Sequence, residues 1–402
     1  DGRLFVHTRL NAPNGKIVET SLEDPDLETA KTVFEPAMGS IKEIVWARDG
    51  LYVKILEGGS SRLVRLPFGA IDRPEKIEIP KNTSLRFHSA PGFASGFDGV
   101  ILDVRSWTHP SRPFIVRAGE TVAKALNLVE EPELLQELDL VTRQIMVPSH
   151  DGVKVPVSII HRKGLPMDGK NPVLLIGYGA YGITIEPSLW DMDRTLYEMG
   201  GIKVVAHLRG GGALGDSWRL AGHKETKPNT WKDLIATAQA LVEEGYTSPE
   251  RICASGRSAG GITVGRAITE ASEAFGAALI GVGLCDVVRF ETTPNGIPNI
   301  PEYGSVKTEE GFRAIHAMSP YHHVKNGTGY PATLVYHGAN DTRVELWQSL
   351  KMAARLRKAQ AGPAPILLRI DYEAGHSTGG SKKQRHLLNA DLLAFFLAHC
   401  GG

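Results

Sequence analysis

The chain has 402 residues, in which 45 lysines and arginines balance 45 aspartates and glutamates. That length suits two domains, and the even charge gives no reason to expect nucleic acid or an anionic membrane as a partner. No apolar run approaches the roughly 18 residues that a membrane-spanning helix needs. The three cysteines, Cys253, Cys285 and Cys400, do not form a disulfide framework, and no Cys/His spacing predicts zinc, so no metal or cofactor is expected.

The first 140 residues contain a repeat of short β-type runs. Asp1-Gly2, Asp49-Gly50 and Asp98-Gly99 lie roughly 50 residues apart, and each opens a run of alternating β-type residues. Polar turns fall inside the first two repeats, at the position expected of a hairpin. Because short strands at this period are typical of propeller blades, we predict about three blades of a β-propeller over residues 1–140. Coincidence is the alternative, since Asp-Gly is a common turn dipeptide.

The hexapeptide Gly256-Arg257-Ser258-Ala259-Gly260-Gly261 is the most informative motif in the rest of the chain. It follows a short apolar run at 251–255 and precedes a segment that can start a helix. α/β-Hydrolases expose their nucleophile as a serine flanked by glycines on such a strand-to-helix turn, where a bulky neighbour would clash. Ser258 is therefore the predicted nucleophile, and a glycine-rich turn with a capping serine is the alternative.

Two further segments supply the partners that a nucleophilic serine needs. The apolar run at 333–337 leads into a loop that contains Asp341, and the run at 366–372 leads into His376. Both side chains are expected just beyond the carboxyl ends of strands, in the order serine, acid, histidine. His376 would then take the hydroxyl proton of Ser258, while Asp341 would fix the imidazole tautomer.

The chain has 14 histidines, so the choice of the base depends on comparison. His322 and His323 precede the strand that leads to Asp341, which is the wrong order. His337 lies on that strand rather than after it. Neither position fits a general base, and His376 is therefore preferred.

Six ordered motifs extend from about Val141 to the C-terminus. They are Gly177-Tyr178-Gly179-Ala180-Tyr181-Gly182, Leu208-Arg209-Gly210-Gly211-Gly212, Gly245-Tyr246-Thr247-Ser248-Pro249, the turn at Ser258, Asn340-Asp341-Thr342-Arg343-Val344 and Ala374-Gly375-His376. Together they resemble the catalytic domain of the prolyl oligopeptidase family. The resemblance implies an α/β fold, with an α/β-hydrolase catalytic domain over residues 141–402 preceded by part of a β-propeller over residues 1–140.

The resemblance also implies two donors for an oxyanion. One is the hydroxyl of Tyr178, and the other is the backbone N–H of Ala259, the residue after the predicted nucleophile. For Tyr178 the alternative is a core aromatic residue whose hydroxyl is hydrogen-bonded.

Three blades cannot close a ring, because propellers typically have about four to eight. In the family that the motifs resemble, a larger propeller is inserted into the hydrolase sequence. We therefore expect a C-terminal portion of a longer protein, with a separate partner fragment as the alternative source of the other blades. A signal peptide would lie outside the chain, so the sequence favours neither cytoplasm nor periplasm.

A pocket for the substrate residue before the cut is a further implication of the resemblance. The matching positions are Tyr181, Leu284, Asn299, Tyr303 and Val344. Arg343 is expected to hold a substrate carbonyl, with a salt bridge near Asp341 as the alternative. Asn299 departs from the family, in which proline-specific members have a tryptophan at this place and the oligopeptidase B branch has carboxylates around it. Since a buried cation without a counter-charge is costly, we expect Lys and Arg to be disfavoured and the preference for proline to be loosened.

The predicted function is that of a serine oligopeptidase which hydrolyses short peptides after proline or other uncharged residues. Two alternatives stay open: an esterase or acylaminoacyl peptidase, and a catalytically idle hydrolase fold that binds a partner. A complete triad with two oxyanion donors favours an enzyme. Short peptides are the expected ligands, and the amino-terminal portion of the same protein is the other candidate partner.

Overall fold

The computed structural model describes residues 2–88, 98–128, 138–190, 192–376 and 380–401, so that Asp1 of the repeat lies outside the described residues. The chain divides into two compact units. The first comprises Asp1–Glu137, Ile185–Leu189 and Gly212–Trp218, and the second comprises Leu138–Thr184, Trp190–Gly211 and Arg219–Gly402.

The first unit is built from small antiparallel sheets. Its strands are β1 Arg3–Thr8, β2 Lys16–Ser21, β3 Lys31–Phe34, β4 Ser40–Ala47, β5 Gly50–Glu57, β6 Ser60–Pro67, β7 Glu75–Ile77, β8 Thr83–Phe87, β9 Gly99–Ser106, β10 Arg112–Arg117 and β11 Lys124–Ala125. Among the described residues, consecutive strands pair in the orders β1-β2-β3, β4-β5-β6-β7 and β8-β9-β10-β11. Successive meanders of this kind are how propeller blades are built.

The Asp-Gly repeat has a packing origin at two of its three sites. Gly50 begins β5 and Gly99 begins β9, each opposite the end of the following strand. A Cβ on Gly50 would overlap the carbonyl oxygen of Leu66, and a Cβ on Gly99 would overlap that of Val116. Only glycine permits so close an approach of two backbones, which explains why this residue recurs.

Apolar side chains fill the space between neighbouring sheets of this unit. One buried cluster joins the second and third sheets and includes Tyr52, Leu63, Phe87, Leu102 and Val116. Another joins the first and second sheets and includes Ile17, Ile41, Val53, Ile55 and Leu66. The middle sheet, β4 to β7, therefore packs against a neighbouring sheet on each of its faces.

Polar contacts explain why two later segments of the chain belong to the first unit. Lys54 of β5 forms an ion pair of 2.8 Å with Glu186. The side chain of Asn14 accepts a hydrogen bond of 3.0 Å from the backbone N–H of Asp216. Both partners lie within the two short segments.

The second unit contains a mixed sheet. Its strands are β12 Leu140–Pro148, β13 Lys154–Arg162, β14 Val173–Ile176, β15 Ile202–Ala206, β16 Ile252–Arg257, β17 Ala277–Gly281, β18 Ala332–Gly338 and β19 Ile366–Asp371. In the described ranges they lie in the order β12-β13-β15-β14-β16-β17-β18-β19. The pairs from β15 to β19 are parallel, while β12-β13 and β13-β15 are antiparallel.

Helices accompany this sheet as the sequence predicts for an α/β fold. They are α1 Asp193–Glu198, α2 Asp216–Leu220, α3 Pro228–Glu243, α4 Gly260–Glu270, α5 Ile300–Tyr303, α6 Glu309–Met318, α7 Pro320–His323, α8 Trp347–Ala359 and α9 Lys382–Cys400. Short 3-10 helices at Val287–Thr292 and Ile297–Asn299 precede α5. None of the helices in the described residues is both long and apolar enough to cross a membrane.

The parallel strands β14, β17 and β18 are buried along their whole length, as is typical of a parallel sheet whose faces are covered by helices. Strands β16, β18 and β19 run in the same direction, so their carboxyl ends meet at one edge. The loops that follow these strands therefore come together there, and this edge holds the candidate site.

Candidate active site

Ser258 lies on the turn between β16 and α4 with its backbone in the left-handed region, at φ +56°. This conformation is strained for a residue with a Cβ and must be held by its surroundings. The N–H of Ser258 donates to the carbonyl of Gly281 at 2.9 Å, and its own carbonyl accepts from the N–H of Leu284 at 3.0 Å. Strand β17 and the loop after it thus fix the turn.

Glycines around the serine allow the turn to be this tight. A Cβ on Gly256 would overlap the carbonyl oxygen of Gly260, and one on Gly261 would lie 2.6 Å from the Cα of Gly283. Both would collide with backbone, which cannot swing away as a side chain can. The flanking glycines are therefore a steric requirement, as the sequence motif predicts.

His376 connects Ser258 to Asp341. Its Nδ1 lies 2.7 Å from Oδ2 of Asp341, and its Nε2 lies 3.1 Å from Oγ of Ser258. Because a carboxylate oxygen only accepts, Nδ1 carries the proton, and in the neutral ring Nε2 is left to accept from the serine hydroxyl. The Asp341 side chain is fully buried, while that of His376 is 18% exposed.

The carboxylate of Asp341 is surrounded by donors. Its Oδ1 accepts from the backbone N–H groups of Arg343 at 2.9 Å and Val344 at 3.0 Å. Burial alone would raise the pKa of Asp341, but the hydrogen bonds from His337, His376 and the two N–H groups hold it well below its usual range. Asp341 is therefore charged at neutral pH and can support a protonated imidazole.

Tyr178 brings a hydroxyl to the same serine. The hydroxyl is close enough to the Ser258 side chain to interact with it, and burial raises the pKa of Tyr178, so the hydroxyl stays protonated at neutral pH. Ala259, whose backbone N–H is the other expected donor, directly follows Ser258 at the start of α4, the positive end of that helix. These two groups form a pair of donors beside the serine, an arrangement that can stabilise negative charge on a bound carbonyl oxygen.

Three buried side chains hold the segment that carries Tyr178. Thr263 of α4 donates to the carbonyl of Tyr178 at 2.6 Å, and the ammonium of Lys227 donates to that of Gly179 at 2.7 Å. Glu302 accepts from the backbone N–H of Tyr181 at 3.0 Å and forms an ion pair of 3.4 Å with Lys227. Burial lowers the pKa of Lys227, and the charge of Glu302 opposes that shift.

Sequence reasoning did not find Lys227 or Thr263, because neither belongs to a motif. One signal was available for Lys227, which lies immediately before the first residue of α3. A cation is unfavourable at the positive end of a helix, so a lysine there indicates a specific partner elsewhere.

The predicted pocket residues fall into two groups. Tyr181 contacts both Asn299 and Tyr303. Its hydroxyl donates to Oδ1 of Asn299 at 2.6 Å, and its ring packs edge to face against the ring of Tyr303, with the two ring centroids 5.7 Å apart. Leu284 and Val344 are buried beside the other residues of the site, where their backbone N–H groups bind Ser258 and Asp341 respectively.

Two asparagines connect the pocket loop to the loop of Asp341. Nδ2 of Asn299 donates to the carbonyl of Asn295 at 2.6 Å, and Nδ2 of Asn295 donates to the carbonyl of Arg343 at 2.9 Å. The Arg343 side chain is exposed. Within the described ranges, no group of three or more His, Cys, Asp or Glu side chains is placed to hold a metal ion.

Comparisons with known proteins identify the relatives of this chain. The model of the prolyl oligopeptidase family matches residues 190–402. Prolyl endopeptidases from Elizabethkingia miricola and Elizabethkingia meningoseptica are 33% and 34% identical over 99% of this chain. A dual function macrocyclase-peptidase from Amanita bisporigera is 30% identical, also over 99% of the chain. The chain spans 56%, 56% and 55% of these three relatives.

Solved structures give the same result for the fold. One from a study of two prolyl endopeptidases superposes with a TM-score of 0.92 at 29% identity, over 100% of this chain and 58% of that one. Oligopeptidase B from Leishmania major also reaches 0.92, at 24% identity, over 99% of this chain and 57% of its own. The predicted fold class, an α/β-hydrolase preceded by part of a β-propeller, is confirmed.

Proposed function

The chain belongs to the prolyl oligopeptidase family, and on that premise we propose that it provides the catalytic centre of a serine oligopeptidase. One observation supports this above all: Asp341, His376 and Ser258 are hydrogen-bonded in series, and the Tyr178 hydroxyl meets the same serine. A catalytically idle binding protein would have no need of four polar groups aligned in this way.

In the proposed reaction, Oγ of Ser258 attacks the peptide carbonyl while Nε2 of His376 takes its proton. The carbonyl oxygen gains negative charge, and the Tyr178 hydroxyl and the Ala259 N–H donate to it. The proton on His376 then passes to the leaving amine, the C–N bond breaks, and an acyl group remains on Ser258. Water attacks this ester with His376 again as the base, and the serine is regenerated.

Asp341 keeps its charge throughout the proposed cycle. Its role is to fix the His376 ring with Nδ1 protonated and to stabilise the imidazolium, without taking a proton itself. The low pKa of Asp341 supports this assignment. Arg343 is proposed to hold a carbonyl of the bound peptide with its exposed guanidinium.

For the residue before the cut, we propose proline or another uncharged residue. Asn299 offers no charge, and its amide already binds Tyr181 and Asn295. The carboxylate of Glu302 is balanced by buried Lys227, so it is not left to pair with a basic side chain. A lysine or arginine in this pocket would be buried without a counter-charge, which is strongly unfavourable.

Matched chromogenic peptides that differ only before the cut, with proline, alanine or arginine there, test both parts of the proposal. We expect cleavage after proline and alanine with kcat/KM well above that for arginine. Cleavage of simple esters but of no peptide would favour an esterase. Absence of any hydrolysis, together with no labelling of Ser258 by a fluorophosphonate probe, would favour a binding protein.

A further inference from the structure

His337 is a buried imidazole beside the triad that the proposed reaction does not use. It belongs to β18 and is 1% exposed. Its Nε2 lies 2.8 Å from the carbonyl oxygen of Val344 and 3.3 Å from Oδ2 of Asp341. Its Nδ1 lies 2.7 Å from the hydroxyl of Ser349 on α8.

The neighbours of the ring determine where its proton lies. A carbonyl oxygen can only accept, so Nε2 of His337 must carry a proton. That N–H donates to the carbonyl of Val344, and Oδ2 of Asp341 lies 3.3 Å from the same nitrogen, so the polarised N–H also lies beside the carboxylate. The Ser349 hydroxyl can donate to Nδ1 of the neutral ring, which holds the imidazole from its far side.

This contact completes the set of donors around the Asp341 carboxylate. Oδ1 receives the backbone N–H groups of Arg343 and Val344, and Oδ2 receives Nδ1–H of His376. His337 adds a second imidazole N–H at 3.3 Å from Oδ2, the oxygen that His376 uses, and this longer contact acts electrostatically. Two imidazoles from different strand ends therefore share one carboxylate oxygen.

We propose that His337 is a positioning residue of the triad, whose Nε2–H orients the Asp341 carboxylate and limits how strongly that carboxylate binds protonated His376. The inference rests on the proposed function and extends it to a residue outside the triad. It follows from competition: a donor on Oδ2 draws part of the carboxylate charge away from the His376 ring. Without that donor, the carboxylate would bind the imidazolium more strongly, and His376 would become active as a base only at higher pH.

Other charged and titratable side chains near Asp341 and His376 remain in place when His337 is changed. They are Arg343 on the Asp341 loop, Arg257 on the serine turn, whose guanidinium donates to the His376 carbonyl at 3.4 Å, Glu373 on the loop before His376, and Tyr178. A shift seen only on changing His337 is therefore attributable to its own contact with Asp341.

Variants at position 337 test the inference through the rate at which a fluorophosphonate probe labels Ser258, measured between about pH 5 and pH 9. His337→Leu should slow labelling roughly 10- to 100-fold at the optimal pH. It should also move the acid limb, the low-pH side of the curve of labelling rate against pH, upward by about half a pH unit or more. His337→Gln should restore much of both, because its amide N–H reaches about as far as Nε2. Thr333→Val is the control, since it removes another buried polar side chain of β18, whose hydroxyl donates to the Pro331 carbonyl.

An acid limb at the same pH in wild type, His337→Leu and His337→Gln would show that His337 only fills space, and would overturn the inference. If His337→Leu does not fold, Ser349→Ala replaces it. This change frees the ring on its far side and should produce a smaller shift in the same direction, whereas an unmoved limb would again overturn the inference.

Labelling does not require a peptide substrate, so the two proposals can fail separately. Labelling with the expected shift but without peptide cleavage would support the role of His337 and contradict the oligopeptidase. Peptide cleavage together with an acid limb that does not move would support the oligopeptidase and contradict the role of His337.

Discussion

The proposed triad and the predicted substrate pocket lie side by side, yet different kinds of contact hold them. Ser258, Asp341 and His376 each follow a strand of the parallel sheet, and backbone hydrogen bonds fix the first two. Tyr181 and Asn299 are held mainly through side chains: they bond to each other, Glu302 binds the N–H of Tyr181, and the Asn299 amide binds the carbonyl of Asn295. The sheet thus positions the reacting groups through the backbone, while the predicted pocket at Asn299 is connected to them through side-chain hydrogen bonds. Substitutions in the triad should slow every substrate, and those in the pocket should change the ratio between substrates.

Ser258→Ala should have the largest effect. Removing the nucleophile is expected to lower kcat by on the order of 10⁴-fold or more for all peptides alike. Alanine keeps the Cβ and its backbone bonds, so the thermal unfolding curve should change little. Retention of most activity by a folded variant would contradict the proposed mechanism.

Tyr178→Phe should have the next largest effect on activity. The hydroxyl is expected to donate most strongly to the oxyanion of the transition state, so kcat should fall roughly 10- to 1000-fold with a smaller change in KM. Steady-state kinetics on proline and alanine peptides measure this. An increase in KM alone would assign the hydroxyl to binding of the ground state, and unchanged kinetics would leave Tyr178 a structural residue.

Lys227→Met tests the connection between the two regions, because Lys227 binds both the carbonyl of Gly179 and the pocket acid Glu302. Loss of the anchor for the Tyr178 segment should lower kcat about tenfold on every peptide. It also leaves Glu302 buried and unpaired, at a cost of about 3–5 kcal/mol in the free energy of unfolding measured with urea. The double variant with Glu302→Gln removes that charge and should recover part of the stability. A change in the ratio of proline to alanine cleavage would instead place Lys227 with the pocket.

Asn299→Trp should have the smallest effect, confined to selectivity. An added ring that stacks on proline is worth about 0.5–1.5 kcal/mol, so the kcat/KM ratio of proline to alanine should rise up to about tenfold. Asn299→Ala is the matched control, since it also removes the bonds to Tyr181 and Asn295 but adds no ring. A wild type that cleaves almost only after proline, or that prefers arginine, would mean that another residue lines the pocket.

The features that sequence alone could predict are those set by local backbone geometry. Glycines at 50 and 99 mark close backbone approaches in the first unit, and the glycines around Ser258 mark the strained turn. The strands predicted before Asp341 and His376 correspond to β18 and β19. Strand β18 is buried throughout and forms a continuous apolar run, as parallel strands do, whereas β19 is an edge strand and is mostly half-buried.

Contacts between side chains that are far apart along the chain were not predictable in the same way. Lys227 and Glu302 are separated by several elements, and only the folded sheet brings them to the segment of Tyr178. The sequence disfavours His337 as a base because it lies on a strand. That reasoning says nothing about a contact with the acid, which depends on how the loop after β18 folds back onto the strand.

Helix α4 begins just after Ser258, and its Thr263 holds the carbonyl of Tyr178. The nucleophile and one proposed oxyanion donor are therefore both attached to the same helix. When thermal motion displaces this helix, both groups move with it, and the gap between them changes much less than either position. The distance between the nucleophile and the oxyanion donor, on which the reaction barrier depends most steeply, is thus expected to vary less than the positions of the two groups.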